Sequence, residues 1–99
     1  MPFRLKFTEV ADDQLRALEQ DAGLVKRLKA VRKACGTLEV NPRHPGLNVH
    51  RWRGKTCPHD GQMWEAYAEN DTPGAYRIFF CYPPDDRGMI LIIAITPHP

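Results

Sequence analysis

Residues 3 to 7, FRLKF, alternate without exception, with Phe3, Leu5 and Phe7 on one side and Arg4 and Lys6 on the other. Successive side chains of a strand point to opposite faces, so the pattern predicts a half-buried strand. The period then changes. Thr8 is suited to cap a helix, with Glu9 in its first turn. Ala11, Leu15, Leu18 and Ala22 recur at spacings of four, three and four, which makes one apolar stripe. Gly23 interrupts it. Leu24, Leu28, Val31, Cys35 and Leu38 repeat the stripe and predict a second helix running to about Leu38, weakened near its end by Gly36. Two one-sided helices this close together predict an antiparallel hairpin laid over one face of a sheet.

Pro42 and Pro45 push the residues before them towards extended geometry, so the stretch from Asn41 to Gly46 cannot be helical. Strand patterns fill the rest. NVHRW is short and reads as an edge. MWEAYAE alternates Met63, Glu65 and Tyr67 with Trp64, Ala66 and Ala68. AYRIFFCY and MILIIAI are continuous apolar runs suited to central strands, and the tight-turn composition PPDDRG between them predicts a hairpin. The order β-α-α-β-β-β-β gives an α+β fold: a two-helix hairpin packed on a small, largely antiparallel sheet of four to five strands. Ninety-nine residues fit a single domain, 1–99.

Composition adds little until charge is mapped along the chain. Net charge is +2, yet residues 26–55 hold nine cations (Lys26, Arg27, Lys29, Arg32, Lys33, Arg43, Arg51, Arg53 and Lys55) against the single acid Glu39. The remainder carries five cations and eleven acids. One basic zone on an otherwise acidic chain suggests a polyanion or an acidic protein as partner. No apolar run follows Met1-Pro2, and MILIIAI is far shorter than the ~20 residues of a membrane span, so no signal peptide and no membrane segment are expected. The expected location is the cytoplasm. Cys35, Cys57 and Cys81 are odd in number, widely spaced and without a C-x-x-C pair. That pattern predicts reduced thiols and no disulfide. Cys57 reads as a turn residue beside Pro58, Asp60 and Gly61, and with His50 and His59 it lacks the spacing of a zinc site. No metal and no cofactor are expected.

Three groups could carry chemistry. Arg51, Arg53 and Lys55 surround Trp52 and His50, where cations could track phosphates and an aromatic could stack on a base. The competing explanation is an edge strand guarded by charge. Arg77 is the one charge inside an apolar run that should be central strand. It needs an anion: either Glu65 or Glu69 on the neighbouring strand, or a ligand phosphate. His98, after the last strand, is of the residue type most often used to move protons and stands where a general acid could act.

The set "NPRHPGL", "HRWRG", "MWEAY" and "AYRIFF", with an apolar last strand ending near a histidine, resembles the RelE/ParE toxin superfamily over nearly the whole chain. In that family the arginine strand reads G-[DEH]-[YH]-R-[VIL]-x-[YF]. The resemblance implies the toxin half of a bacterial toxin–antitoxin pair, and in the RelE branch a metal-independent ribonuclease that cuts messenger RNA on the ribosome. It implies that Arg77 contacts the scissile phosphate and that His98 is the acid. Glu65 or His50 would be the base, while Arg51, Arg53, Lys55, Trp52 and Arg43 hold RNA. The implied partners are a small antitoxin, forming a hetero-oligomer, together with the ribosome and its message. Some members carry lysines on the strand before the arginine strand, where this sequence has Glu65 and Tyr67. Two alternatives therefore stand beside the nuclease: a ParE-like toxin that binds DNA gyrase, and an inactive protein-interaction module of the same fold.

Overall fold

The computed structural model describes residues 2–59 and 61–98. Each stretch of regular periodicity becomes the element its period requires. Strand β1 (Arg4–Phe7) leads into helix α1 (Glu9–Gln20), whose first turn is capped by the Thr8 hydroxyl accepting from the Ala11 N–H. A single 3-10 turn at Ala22–Leu24 replaces the break expected at Gly23, and helix α2 follows (Val25–Val40). Gly36 does not end α2. The helix continues to Val40 and closes with the Asn41 N–H donating to the Thr37 carbonyl. Strands β2 (His50–Trp52), β3 (Met63–Tyr67), β4 (Tyr76–Cys81) and β5 (Met89–Pro97) complete the chain.

The sheet has five strands in the order β1-β5-β4-β3-β2. Neighbours from β2 to β5 are antiparallel, but β1 joins the edge of β5 in parallel, so the sheet is mixed. The parallel pair is compatible with topology: both helices and three strands lie between β1 and β5, so no hairpin holds them antiparallel. One face packs Ala66, Ile78, Phe80, Ile90, Ile92 and Ile95 against Ala11, Leu18, Val31, Ala34 and Leu38 of the helices, all buried. The other face has no helix. A smaller cluster lies there, formed by Met63, Phe79 and the sulfurs of Cys57 and Cys81, with Trp52 packed against it.

Strand β5 carries the decision that matters most for function. Phe79 pairs with Ala94 but Phe80 pairs with Ile92, so Ile93 is an extra residue, a β-bulge. Ile90 and Ile92 point to the helices. Without the bulge strict alternation would send residues 94, 96 and 98 the same way. With it, Ile95 faces the helices, while Ala94, Thr96 and His98 fall on the open face. The backbone groups freed by the bulge find side-chain partners on the helix side: the Thr8 hydroxyl donates to the Ile93 carbonyl (3.0 Å), and the Ile95 N–H donates to Gln14 Oε1 (2.6 Å). Replacing Gln14 by leucine leaves that N–H unsatisfied in a part-buried position. It should cost about 1–3 kcal/mol, read as a lower urea midpoint at unchanged slope.

The cysteines depart from expectation. Cys57 and Cys81 are joined by a disulfide across 24 residues of sequence, with Cα atoms 6.3 Å apart, and only Cys35 is free. An odd count with wide spacing argued for three thiols, but it cannot register that the loop after β2 folds back over the end of β4. Asp60, read as part of the same turn, lies outside the described residues.

Candidate active site on the open sheet face

Register brings six polar residues together on the open face. His50 stands opposite Glu65 on β3, Tyr67 opposite Arg77 on β4, and Arg77 opposite Thr96 on β5. His98 lies two residues beyond Thr96 and is held by its N–H bonding to the Ala75 carbonyl (2.8 Å).

Glu65 is the hub. Its side chain is fully buried, with Oε2 3.1 Å from His98 Nδ1 and 4.0 Å from Arg77 Nε, and Oε1 2.6 Å from His50 Nε2. The His50 contact is close but angled. By hydrogen-bond geometry Oε1 is unsatisfied, so the contact is an ion-pair approach rather than a well-formed bond. A buried carboxylate left alone would be very costly, and here one guanidinium and two imidazoles share it.

Arg77 is 6% exposed. One of its terminal nitrogens donates to the backbone carbonyls of Glu69 and Tyr76. Its guanidinium carbon sits 3.7 Å above the centre of the Tyr67 ring, a cation–π contact that fixes the plane of the fork. Its Nε is buried and has no hydrogen-bond partner among the described residues. Glu69 is in turn held by Arg27 from α2 (2.8 Å), and its carboxylate accepts the Tyr76 N–H. Arg27, one of the cations of the basic zone, is thus tied to the sheet.

The two histidines differ. His50 Nδ1 is 2.8 Å from the Asn48 carbonyl, which can only accept, so that nitrogen carries a proton. Asn48 offers this carbonyl from a left-handed turn (φ 48°), a conformation asparagine tolerates. With Nε2 turned to Glu65, both ring nitrogens of His50 face protein acceptors. His98 uses only Nδ1. Its side chain is 46% exposed, and its Nε2 has no partner among the described residues.

Not every cation predicted for RNA converges here. Lys55 lines the hollow beside Trp52, Phe79, Thr96 and Pro97, and Arg53 stands exposed next to it. Arg51 is on the opposite side of β2 and donates to Gln62 Oε1 (2.7 Å). Arg43 stands apart, in the loop after α2, at a groove of about 1110 Å³ lined by Phe3, Val40, Trp64 and Tyr82. Trp52 packs edge-on to Phe79 (5.2 Å between ring centres) and lies 6.2 Å from the His98 ring, so it supports the site as much as it offers a surface. Tyr67 and Asn48 were not singled out by sequence reasoning. Tyr67 shares the alternation of Glu65, which was the available signal; nothing marks Asn48. Among the described residues no cluster of histidine, cysteine, aspartate or glutamate is arranged to hold a metal ion.

No protein-family model matches the chain, and no curated protein matches it. Solved structures do. The chain superposes on the YoeB dimer from Staphylococcus aureus with a TM-score of 0.66 at 13% identity, covering all of both chains. It superposes on the toxin–antitoxin complex RelBE2 from Mycobacterium tuberculosis with a TM-score of 0.61 at 20% identity, covering 99% of this chain and all of that one. At these identities the likeness is one of fold. This is the two-helix, five-stranded α+β fold of RelE-like toxins, as the ordered motifs of the sequence led one to expect. No helix among the described residues is long and apolar enough to cross a membrane.

Proposed function

We propose that this protein is the toxin of a toxin–antitoxin pair and that it cleaves messenger RNA on the ribosome, without a metal, in the cytoplasm. The observation that carries the reading is the buried Glu65–Arg77 pair with His98 at its rim. An arginine kept desolvated with an unmet N–H, beside a half-exposed histidine whose Nε2 has no partner among the described residues, favours the nuclease over a gyrase-binding toxin or an inactive binding module. Transfer of a phosphoryl group to the ribose 2′-hydroxyl needs a base, a cation for the added negative charge and an acid for the 5′-oxygen. Arg77 supplies the cation, and its fork geometry suits phosphate oxygens. His98 supplies the acid. Lys55 and Arg53, exposed beside the open face, would hold phosphates of the message. An antitoxin, a smaller partner with an acidic amphipathic segment, would complement the basic zone.

The test is messenger cleavage in a purified translation system, with and without ribosomes. Wild type should cleave only with ribosomes, and His98→Ala should cleave about 10²–10⁴-fold more slowly. Well-folded protein that cuts nothing but blocks gyrase supercoiling would replace this reading with the gyrase one.

A further inference from the structure

The reaction needs a base, and the two residues that sequence offered for that role are both engaged in the folded chain. Glu65 is closed to water, and each of its oxygens lies against a ring nitrogen of His50 or His98. His50 has its protonated Nδ1 on the Asn48 carbonyl and its Nε2 turned inward to Glu65. One ring nitrogen of the cluster remains open at the surface, Nε2 of His98.

We infer that His98 acts as both base and acid in turn, and that Glu65 is the positioning residue that makes this workable. The assignment rests on the ribonuclease reading above. In the neutral ring Nδ1 carries the proton, donated to Glu65 Oε2, and Nε2 presents its lone pair to substrate. This is the arrangement of a carboxylate–histidine pair in a hydrolytic triad, where the carboxylate fixes the tautomer and stabilises the imidazolium. Nε2 takes the proton of the 2′-hydroxyl. The 2′-oxygen forms its bond to phosphorus, and Arg77 meets the charge that gathers on the equatorial oxygens. The bond from phosphorus to the 5′-oxygen breaks, its electron pair goes to that oxygen, and the oxygen recovers the same proton from Nε2. The products are a 2′,3′-cyclic phosphate and a 5′-hydroxyl, and His98 returns to neutral.

Two features of the fold suit a histidine that must serve both apical oxygens. The ring sits past the paired part of β5, half exposed, and among the side chains of the described residues its hydrogen bonding is to Glu65 alone. The mechanism requires the ring to turn about that bond, so that Nε2 passes from the 2′-oxygen to the 5′-oxygen while Nδ1 stays engaged. His50, from the other side, holds the second Glu65 oxygen and so keeps the carboxylate from turning away.

The charged group in contact with His98 is Glu65 on β3, and around that carboxylate stand Arg77 on β4 and His50 on β2, with Tyr67 against both. The experiment is single-turnover cleavage of a message on programmed ribosomes, with two substrates: the natural linkage, and one whose scissile 5′-oxygen is replaced by sulfur, which leaves without an acid. His98→Ala is expected to be inactive on both. Wild-type cleavage should rise with pH through one ionisation to a plateau, because a single neutral histidine suffices. Glu65→Gln should lower kcat more than KM, by up to about 10⁴-fold as amidation of a triad carboxylate does, and should move the ionisation to lower pH, which a purely structural loss would not. His50→Asn frees the second Glu65 oxygen and should slow cleavage, but by less than Glu65→Gln does, because His98 and its Glu65 partner stay in place. Recovery of His98→Ala on the sulfur message, or a bell-shaped profile with a second ionisation, would overturn the inference and leave the ribonuclease intact with a base elsewhere. A wild type that cuts neither message would overturn the ribonuclease reading and this inference together.

Discussion

Arg77→Ala is expected to lose both stability and cleavage, and the two losses can be separated. Arginine and glutamate here are both nearly closed to water. Removing one partner of such a pair strands the other charge, which costs about 3–5 kcal/mol. For a chain of 99 residues that corresponds to a fall in Tm of at least about 12 °C. Cleavage should fall by roughly 10²–10³-fold or more, the loss seen when one donor to a developing oxyanion is removed. The control is a double replacement, Glu65→Leu with Arg77→Met, which removes both charges and keeps the volume. It should unfold at a higher urea concentration than Arg77→Ala while remaining inactive. A double variant no more stable than the single one would show that the stranded carboxylate is not the source of the cost.

Opening the Cys57–Cys81 bond is the second large effect. Bonded residues 24 apart in sequence restrict the unfolded chain enough to contribute about 3 kcal/mol. Unfolding with and without reductant should therefore give clearly separated midpoints. A thiol titration of the unfolded, unreduced protein should find one thiol, Cys35, and after reduction three. In the native protein even Cys35 should react slowly. Burial, with Glu39 nearby, pushes its thiol up to about 11, so the reactive thiolate is scarce until the pH approaches that value. A reducing cytoplasm would keep the Cys57–Cys81 pair open. Cleavage measured in both redox states therefore also reports whether the loop carrying Arg53 and Lys55 works tethered to β4 or released from it. A count of three thiols before reduction would remove the bond, and the stability difference with it.

Much of this molecule is written in local periodicity. The alternation of FRLKF, the two helical stripes, the end of α2 before Pro42 and the final hairpin each depend on neighbours within a few residues and formed as their patterns required. Pro45, in a stretch expected to be non-helical, instead opens a 3-10 turn at Pro45–Leu47, where its missing N–H costs nothing. Arg77 was legible for the same reason: a charge inside an apolar run is conspicuous wherever the run ends up. His98 was visible only as a residue type. Whether it faces the helices or the open side depends on a single extra residue, Ile93, and MILIIAI is apolar at every position, so the run conceals where its alternation slips. The parity of β5 is settled by Thr8 and Gln14, more than eighty residues upstream, which satisfy the backbone groups the bulge releases. Tertiary structure alone likewise decided that β1 pairs in parallel, that two cysteines meet, that Tyr67 lies under the Arg77 guanidinium, and that His50 is turned inward while His98 keeps a nitrogen open. Pattern within a segment follows from the chain's own geometry. Register between segments depends on which distant groups can satisfy one another, and the candidate site is built almost entirely from register.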